Sequence, residues 1–117
     1  MRIGVMLDAG APLKSVVSQV MQAEEAGFAS AWLPNIFAND ALTVLALAGA
    51  RTSRIELGTS VVPTFPRHPS ALAQQALTVQ AATGGRLTLG IGLSHKPVIE
   101  QMMGLDFSKP VRHMREY

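Results

Sequence analysis

The chain contains no cysteine. Disulfides, cysteine-ligated zinc and thiol catalysis are therefore excluded, and a cytoplasmic location is the expectation. Aromatic residues are scarce, with one Trp, one Tyr and four Phe. The ten Lys and Arg are scattered rather than clustered, and the formal charge is only +2. A nucleic-acid footprint needs a basic patch, usually with stacking aromatics, so no nucleic-acid partner is expected. No apolar run approaches the roughly 20 residues of a membrane span. The stretch from Ala41 to Ala50 is apolar but is bounded by Asp40 and Arg51. The opening run Met1 to Leu7 is too short for a signal peptide. The histidines, His68, His95 and His113, stand far apart, so no metal site is expected.

What is present is a core-forming composition. Apolar residues make up 48% of the 117 residues and charged residues 15%, which excludes disorder. The chain is long enough for one domain, 1–117, with a real core. Residues 2–7 read as a buried strand. Leu13, Val16, Val17, Val20 and Met21 then repeat at helical spacing after Pro12, and Gly27 suits a left-handed cap. Residues 30–34 form a second strand, and Asn39 or Asp40 N-caps a helix over about 40–50. That helix is apolar nearly all round and needs cover from neighbouring helices or from a second subunit.

A third strand covers 55–62. Pro69 opens a third helix, with His68 at its N-cap position, and Gly84-Gly85 closes it. The fourth strand is 86–92. Ser94 caps a short fourth helix ending near Gly104, and Ser108 and Pro110 open a last helix with Val111 and Met114 on one face. Strands alternating with helices predict a parallel sheet with right-handed crossovers. A small doubly wound sheet fits the length. So does half of a (β/α)8 barrel, which needs roughly 250 residues. The last helix breaks off without a cap, which reads as four parallel βα units of a barrel cut short.

In either architecture ligands sit at the carboxyl ends of the strands. Gly90-Ile91-Gly92-Leu93-Ser94-His95-Lys96 leaves a strand there. It lacks the third glycine of a dinucleotide fingerprint. The two glycines either let the backbone approach a cofactor ring or pack helix against strand. His95 either donates a proton to a reacting group or only bonds backbone and water. Arg67, beside a helix N-terminus, either docks an anion or is a solvated loop residue. Asn35 either bonds a ligand or stabilises its turn.

The segments Leu57-Gly58-Thr59-Ser60-Val61-Val62-Pro63, Arg67-His68-Pro69 and Gly84-Gly85-Arg86-Leu87-Thr88-Leu89-Gly90-Ile91-Gly92 carry a family likeness. So do Ser94-His95-Lys96-Pro97 and Arg112-His113-Met114-Arg115-Glu116-Tyr117. Together they resemble the N-terminal part of the luciferase-like monooxygenase superfamily, in particular its F420-dependent oxidoreductases. The likeness runs the whole length of the chain. It implies the N-terminal half of a (β/α)8 TIM barrel and hydride transfer through coenzyme F420 to or from a small organic substrate. FMN is the alternative cofactor, in an oxygen-using monooxygenase. A different class of reading is an inactive or partner-binding half-barrel fragment. The resemblance also implies a homodimer and a cis peptide at Ser60–Val61, whose bulge backs the cofactor ring. The cofactor wall it implies comprises Asn35, Thr59, Ser60, Val61, Gly92 and Ser94. His95 falls where some relatives place an acidic proton donor. Asn35 and Ile36 stand where some relatives carry an acidic residue and a His, which argues against those relatives' substrates, sugar phosphates included.

Overall fold

A computed structural model describes residues 1–117. Helices alternate with short parallel strands. In chain order these are β1 (Gly4–Met6), α1 (Leu13–Glu25), β2 (Ser30–Leu33), α2 (Ala41–Gly49), β3 (Glu56–Thr59) and β4 (Val62–Pro63). There follow α3 (Pro69–Ala82), β5 (Leu87–Thr88), β6 (Ile91–Gly92), a π-helical turn (Val98–Met102) and α4 (Pro110–Glu116).

One sheet runs β1-β2-β3-β5, all parallel, and a two-stranded parallel sheet pairs β4 with β6. Each strand of the main sheet sits beside its predecessor, with no reversal of order. A doubly wound sheet reverses at a switch point and carries helices on both faces. Here Leu7, Ala31, Leu33 and Leu57 turn to the helical side and join Val16, Val20, Leu42, Val44, Leu45 and Val79 in a single core. Monotonic order with α1, α2 and α3 on one face is the arrangement of a barrel segment.

The opposite, concave face departs from the expected all-apolar strands. Its residues align in register across the sheet as Met6, Trp32, Gly58 and Thr88. The Trp32 indole lies over Gly58, where any Cβ would collide with the ring, and its Nε1 donates to Ser30 Oγ at 2.9 Å.

Local signals explain the element ends. Asp40 is the N-cap of α2 and accepts from Thr43 N at 2.9 Å. His68 caps α3, its Nδ1 accepting from Ser70 N at 3.3 Å. Gly27 follows α1 with φ +83°. The neighbours α1 and α3 cover α2, which leaves Leu47 as its one exposed large apolar residue. The cover for the apolar helix is thus supplied within the chain.

Five expectations need correction. The third strand is interrupted after Thr59 and the fourth after Thr88, so neither is the continuous strand of 55–62 or 86–92. Ser94 does not cap the following helical turn: its φ is +63°, and that turn has no side-chain cap. Ser108 bonds back to Asp106 rather than capping α4. Val111 is exposed, and α4 attaches instead through His113, whose Nε2 is hydrogen-bonded to Thr64 Oγ1 at 3.0 Å and whose ring stacks on Phe65.

Candidate active site

The paired strand breaks lie at the carboxyl end of the sheet and belong together. Thr59 Oγ1 donates to Gly90 O at 2.8 Å and accepts from Gly90 N at 2.8 Å. Beyond the break, Val62 N donates to Gly90 O and Thr64 N to Gly92 O, both at 2.9 Å. The Ser60–Val61 peptide between them is cis, as expected. Val61 is 40% exposed, and its side chain occupies the space where Gly92 would carry a Cβ. A Cβ on Gly90 would run into the Thr59 carbonyl. Both glycines of the Gly90-Ile91-Gly92 segment are therefore needed for close approach of the third strand. The packing is of strand against strand, not of helix against strand as the sequence alternative had it.

Above this region lies a cavity of about 260 Å³, lined by Pro34, Asn35, Ile36, Phe37, Ser60, Val61, Pro63, Ser94, His95, Val98 and Met103. Ligand sites commonly occupy roughly 300–1,000 Å³, and this cavity falls just below that range. Of the expected site residues, Asn35, Ser60, Val61, Ser94 and His95 come together here. Thr59 and Gly92 do not line it. Thr59 is 1% exposed with its hydroxyl engaged on Gly90, and Gly92 lies under Val61. Phe37 lines the cavity without having been singled out, and so does Ile36, noted in the sequence only for replacing a residue of some relatives. An adjacent apolar pair in the loop directly after a strand was the available signal; in the structure they are 65% and 59% exposed.

Arg67 is not a solvated loop residue but is engaged within the chain. Its Nη2 pairs with Asp40 Oδ1 at 2.7 Å and its Nη1 donates to Gln75 Oε1 at 3.0 Å. Burial opposes the Asp40 charge. The Arg67 and Thr43 hydrogen bonds outweigh burial and hold its carboxyl below the ordinary 3.8. Asn35 Oδ1 accepts from Ala41 N at 2.8 Å and lies 3.5 Å from Arg67 Nη2. His95 is exposed at the rim; its carbonyl accepts from Ile99 N at 3.0 Å, and its ring makes no hydrogen bond within the chain. No cluster of His, Asp and Glu has the arrangement of a metal site.

The sequence matches the family of luciferase-like monooxygenases over residues 1–117. It is 39% identical, over its full length, to a Mycobacterium tuberculosis protein named as a coenzyme F420-dependent oxidoreductase. The structure superposes with a TM-score of 0.79 on the coenzyme F420-dependent tetrahydromethanopterin reductase of Methanopyrus kandleri, at 30% identity over 91% of this chain. It also superposes, with a TM-score of 0.86 and 19% identity over 99% of the chain, on the oxygenating constituent of 3,6-diketocamphane monooxygenase from Pseudomonas putida; that likeness is one of fold. The chain spans 34%, 30% and 37% of these three proteins respectively.

Proposed function

Because the chain belongs to the luciferase-like monooxygenase family, we propose that it supplies one wall of the active site of an F420-dependent oxidoreductase acting on a small organic molecule. The observation that carries this reading is the wall itself. Val61 is held out on Gly92 at the carboxyl ends of the third and fourth strands, beside a part-formed cavity. A flat tricyclic ring needs an apolar surface to lie against and polar groups at its edge. Val61, Ile36 and Phe37 offer the first, and Asn35, Ser60 and Ser94 the second. The residues present fit the group. Thr59 and Gly92 serve from beneath, holding the wall in place.

Bound here, a deazaflavin supplies a carbon that exchanges hydride with the substrate. His95 holds or releases the accompanying proton at a ring nitrogen, and its exposed place at the rim suits that task. The full-length protein is proposed to be a cytoplasmic homodimer. The homodimer rests on the resemblance, since α2 is already covered within the chain.

The test is to titrate the full-length protein with F420 and with FMN, following cofactor fluorescence, and to repeat it with His95→Ala. Expected are saturation by F420 at a lower concentration than by FMN, and an unchanged F420 affinity in the variant with turnover reduced about a hundredfold. Preferential FMN binding with oxygen consumption would identify a monooxygenase instead. Full turnover in His95→Ala would remove the residue from the mechanism.

A further inference from the structure

The loop from Asn35 to Asp40 carries Ile36 and Phe37 of the cavity wall, yet its tip has no grip of its own. Ile36, Phe37 and Ala38 make no hydrogen bond within the chain, and Ile36 and Phe37 are mostly exposed. The loop is held at its two ends. Asn35 N donates to Val61 O at 3.3 Å, and Asn35 Oδ1 accepts from Ala41 N at 2.8 Å, so one side chain spans the loop. Asn39 Nδ2 donates to Ala11 O at 3.0 Å.

Asp40 divides its two oxygens between two tasks. Oδ2 caps α2 through Thr43 N at 2.9 Å and Thr43 Oγ1 at 2.7 Å. Oδ1 pairs with Arg67 Nη2 at 2.7 Å. Capping needs only an acceptor, and Asn or Ser serves as well; the ion pair is what uses the negative charge. Gln75 on α3 closes the ring. Its Oε1 accepts from Arg67 Nη1 at 3.0 Å, and its Nε2 donates to Asp40 Oδ2 at 3.3 Å. Arg67 Nη2 also stands 3.5 Å from Asn35 Oδ1. One guanidinium thereby faces both ends of the loop, residues 35 and 40.

The backbone of Arg67 belongs to the opposite wall. Arg67 N donates to Thr64 O at 3.2 Å, and Thr64, fully buried, donates its own N–H to Gly92 O at 2.9 Å. Val61 stands on the same segment, against Gly92. Arg67 is therefore fixed to the Val61 wall and grips the Ile36–Phe37 wall. The paired side chains are only 23% and 34% exposed, so salt and water screen them less than a surface pair.

We propose that Arg67 is a positioning residue of this site: through Asp40 and Asn35 it holds the Ile36–Phe37 loop at a set distance from Val61, and so fixes the width of the slot that the cofactor ring enters. The ring in that statement rests on the F420 reading; the hold on the loop does not. The planar fork of a guanidinium reaches Asp40, Gln75 and Asn35 at once, which a single ammonium does not. Loss of either charge frees the loop in the same way, so the effects of Arg67 and Asp40 are not additive.

The test takes full-length protein carrying Arg67→Gln, Arg67→Lys, Asp40→Asn, or Arg67→Gln with Asp40→Asn, under conditions in which near-UV circular dichroism shows each to be folded. A role in stability alone leaves the cofactor affinity of folded protein unchanged. The positioning role predicts F420 binding weakened about tenfold in Arg67→Gln and in Asp40→Asn, no further in the double variant, and partly restored in Arg67→Lys. A second arm needs no cofactor. Hydrogen exchange followed by mass spectrometry should be about tenfold faster in Arg67→Gln at the Asn35 and Ala41 amides, the bonded ends of the loop, with β1 and α1 unchanged. An F420 affinity equal to wild type in folded Arg67→Gln, additive losses in the double variant, or unchanged exchange overturns the proposal. Wild-type protein that binds no F420 sinks the cofactor reading instead, and the exchange arm then decides the role of Arg67.

Discussion

At the scale of single residues, the chain divides by end of the sheet. Side chains at the carboxyl ends of the strands build the cavity, and those at the amino ends hold the frame. Arg86 is the clearest of the second kind. Its Nε donates to Thr83 O at 2.7 Å, its Nη1 to Thr52 Oγ1 and Ile55 O at 3.0 and 3.1 Å, and its Nη2 to Gly49 O and Thr52 O at 2.8 and 3.0 Å. One guanidinium thus ties the end of α2, the loop before β3 and the end of α3. Lysine has a single ammonium on a flexible stem and cannot reproduce that planar fork. Arg86→Lys in the full-length protein should therefore lose about 2–3 kcal/mol of stability, read as a lower urea midpoint, with F420 affinity unchanged. A midpoint equal to wild type would show that the fork carries no net stability. The family segment around Gly84-Gly85-Arg86 is then explained without any contact to a ligand.

At the scale of elements, the βα order was legible because its signals are local. Apolar residues at helical spacing marked α1, and Asp40 and His68 act within three residues of where they stand. The interruption at Ser60–Val61 was foreseen only through the family likeness, as a cis peptide and bulge, and that at Leu89–Gly90 not at all; neither has a local signal. They depend on Thr59 meeting Gly90, thirty-one residues away, and on Val61 meeting Gly92. The site was partly legible for the same reason. Asn35 and His95 lie in the loops just after strand ends, whereas the ion pair that engages Arg67 spans twenty-seven residues. A further long-range tie joins α1 to the loop before β3. The Glu24 carboxylate accepts from Ser53 N, Arg54 N and Ile55 N, at 2.7 Å from Arg54 N. Desolvation opposes its charge, but these backbone bonds prevail and hold its pKa below the ordinary 4.5. A depressed folded value means that the proton favours the unfolded chain. The contribution of Glu24 is therefore complete above about pH 4.5 and is lost as pH falls through the lower folded value; Asp40 adds a loss in the same direction below 3.8. Urea midpoints of the full-length protein should hold from pH 7 to 5 and fall below about pH 4. Glu24→Gln should start lower by about 1–2 kcal/mol and fall less on acidification. An equally steep fall in the variant would show that Glu24 is not the group responsible.

At the scale of the whole molecule, 117 residues form an open structure. Its radius of gyration is 14.7 Å, against roughly 13.4 Å for a compact domain of this length. The excess follows from topology. β1 pairs only with β2, and β5 only with β3, so each presents a free edge. The concave face carries apolar side chains to solvent: Met6 is 59% exposed. Ile3, Leu89 and Ile91, at the strand ends, are 51%, 38% and 37% exposed. In a complete eight-stranded barrel further strands cover such a face and occupy both edges. Left alone, free parallel edges beside an apolar surface template pairing with other chains. The 117-residue chain expressed by itself should therefore elute in size exclusion well above its 12.4 kDa mass and brighten a hydrophobic-surface dye, whereas the full-length protein should leave the dye dark. Met6→Lys places a charge on the open face and should shift the isolated chain toward smaller species. The same variant should destabilise the full-length protein, where that position is enclosed. An isolated chain that stays monomeric and dye-silent at micromolar concentration would mean that the concave face is self-sufficient, and the half-barrel account of the exposed surface would fail.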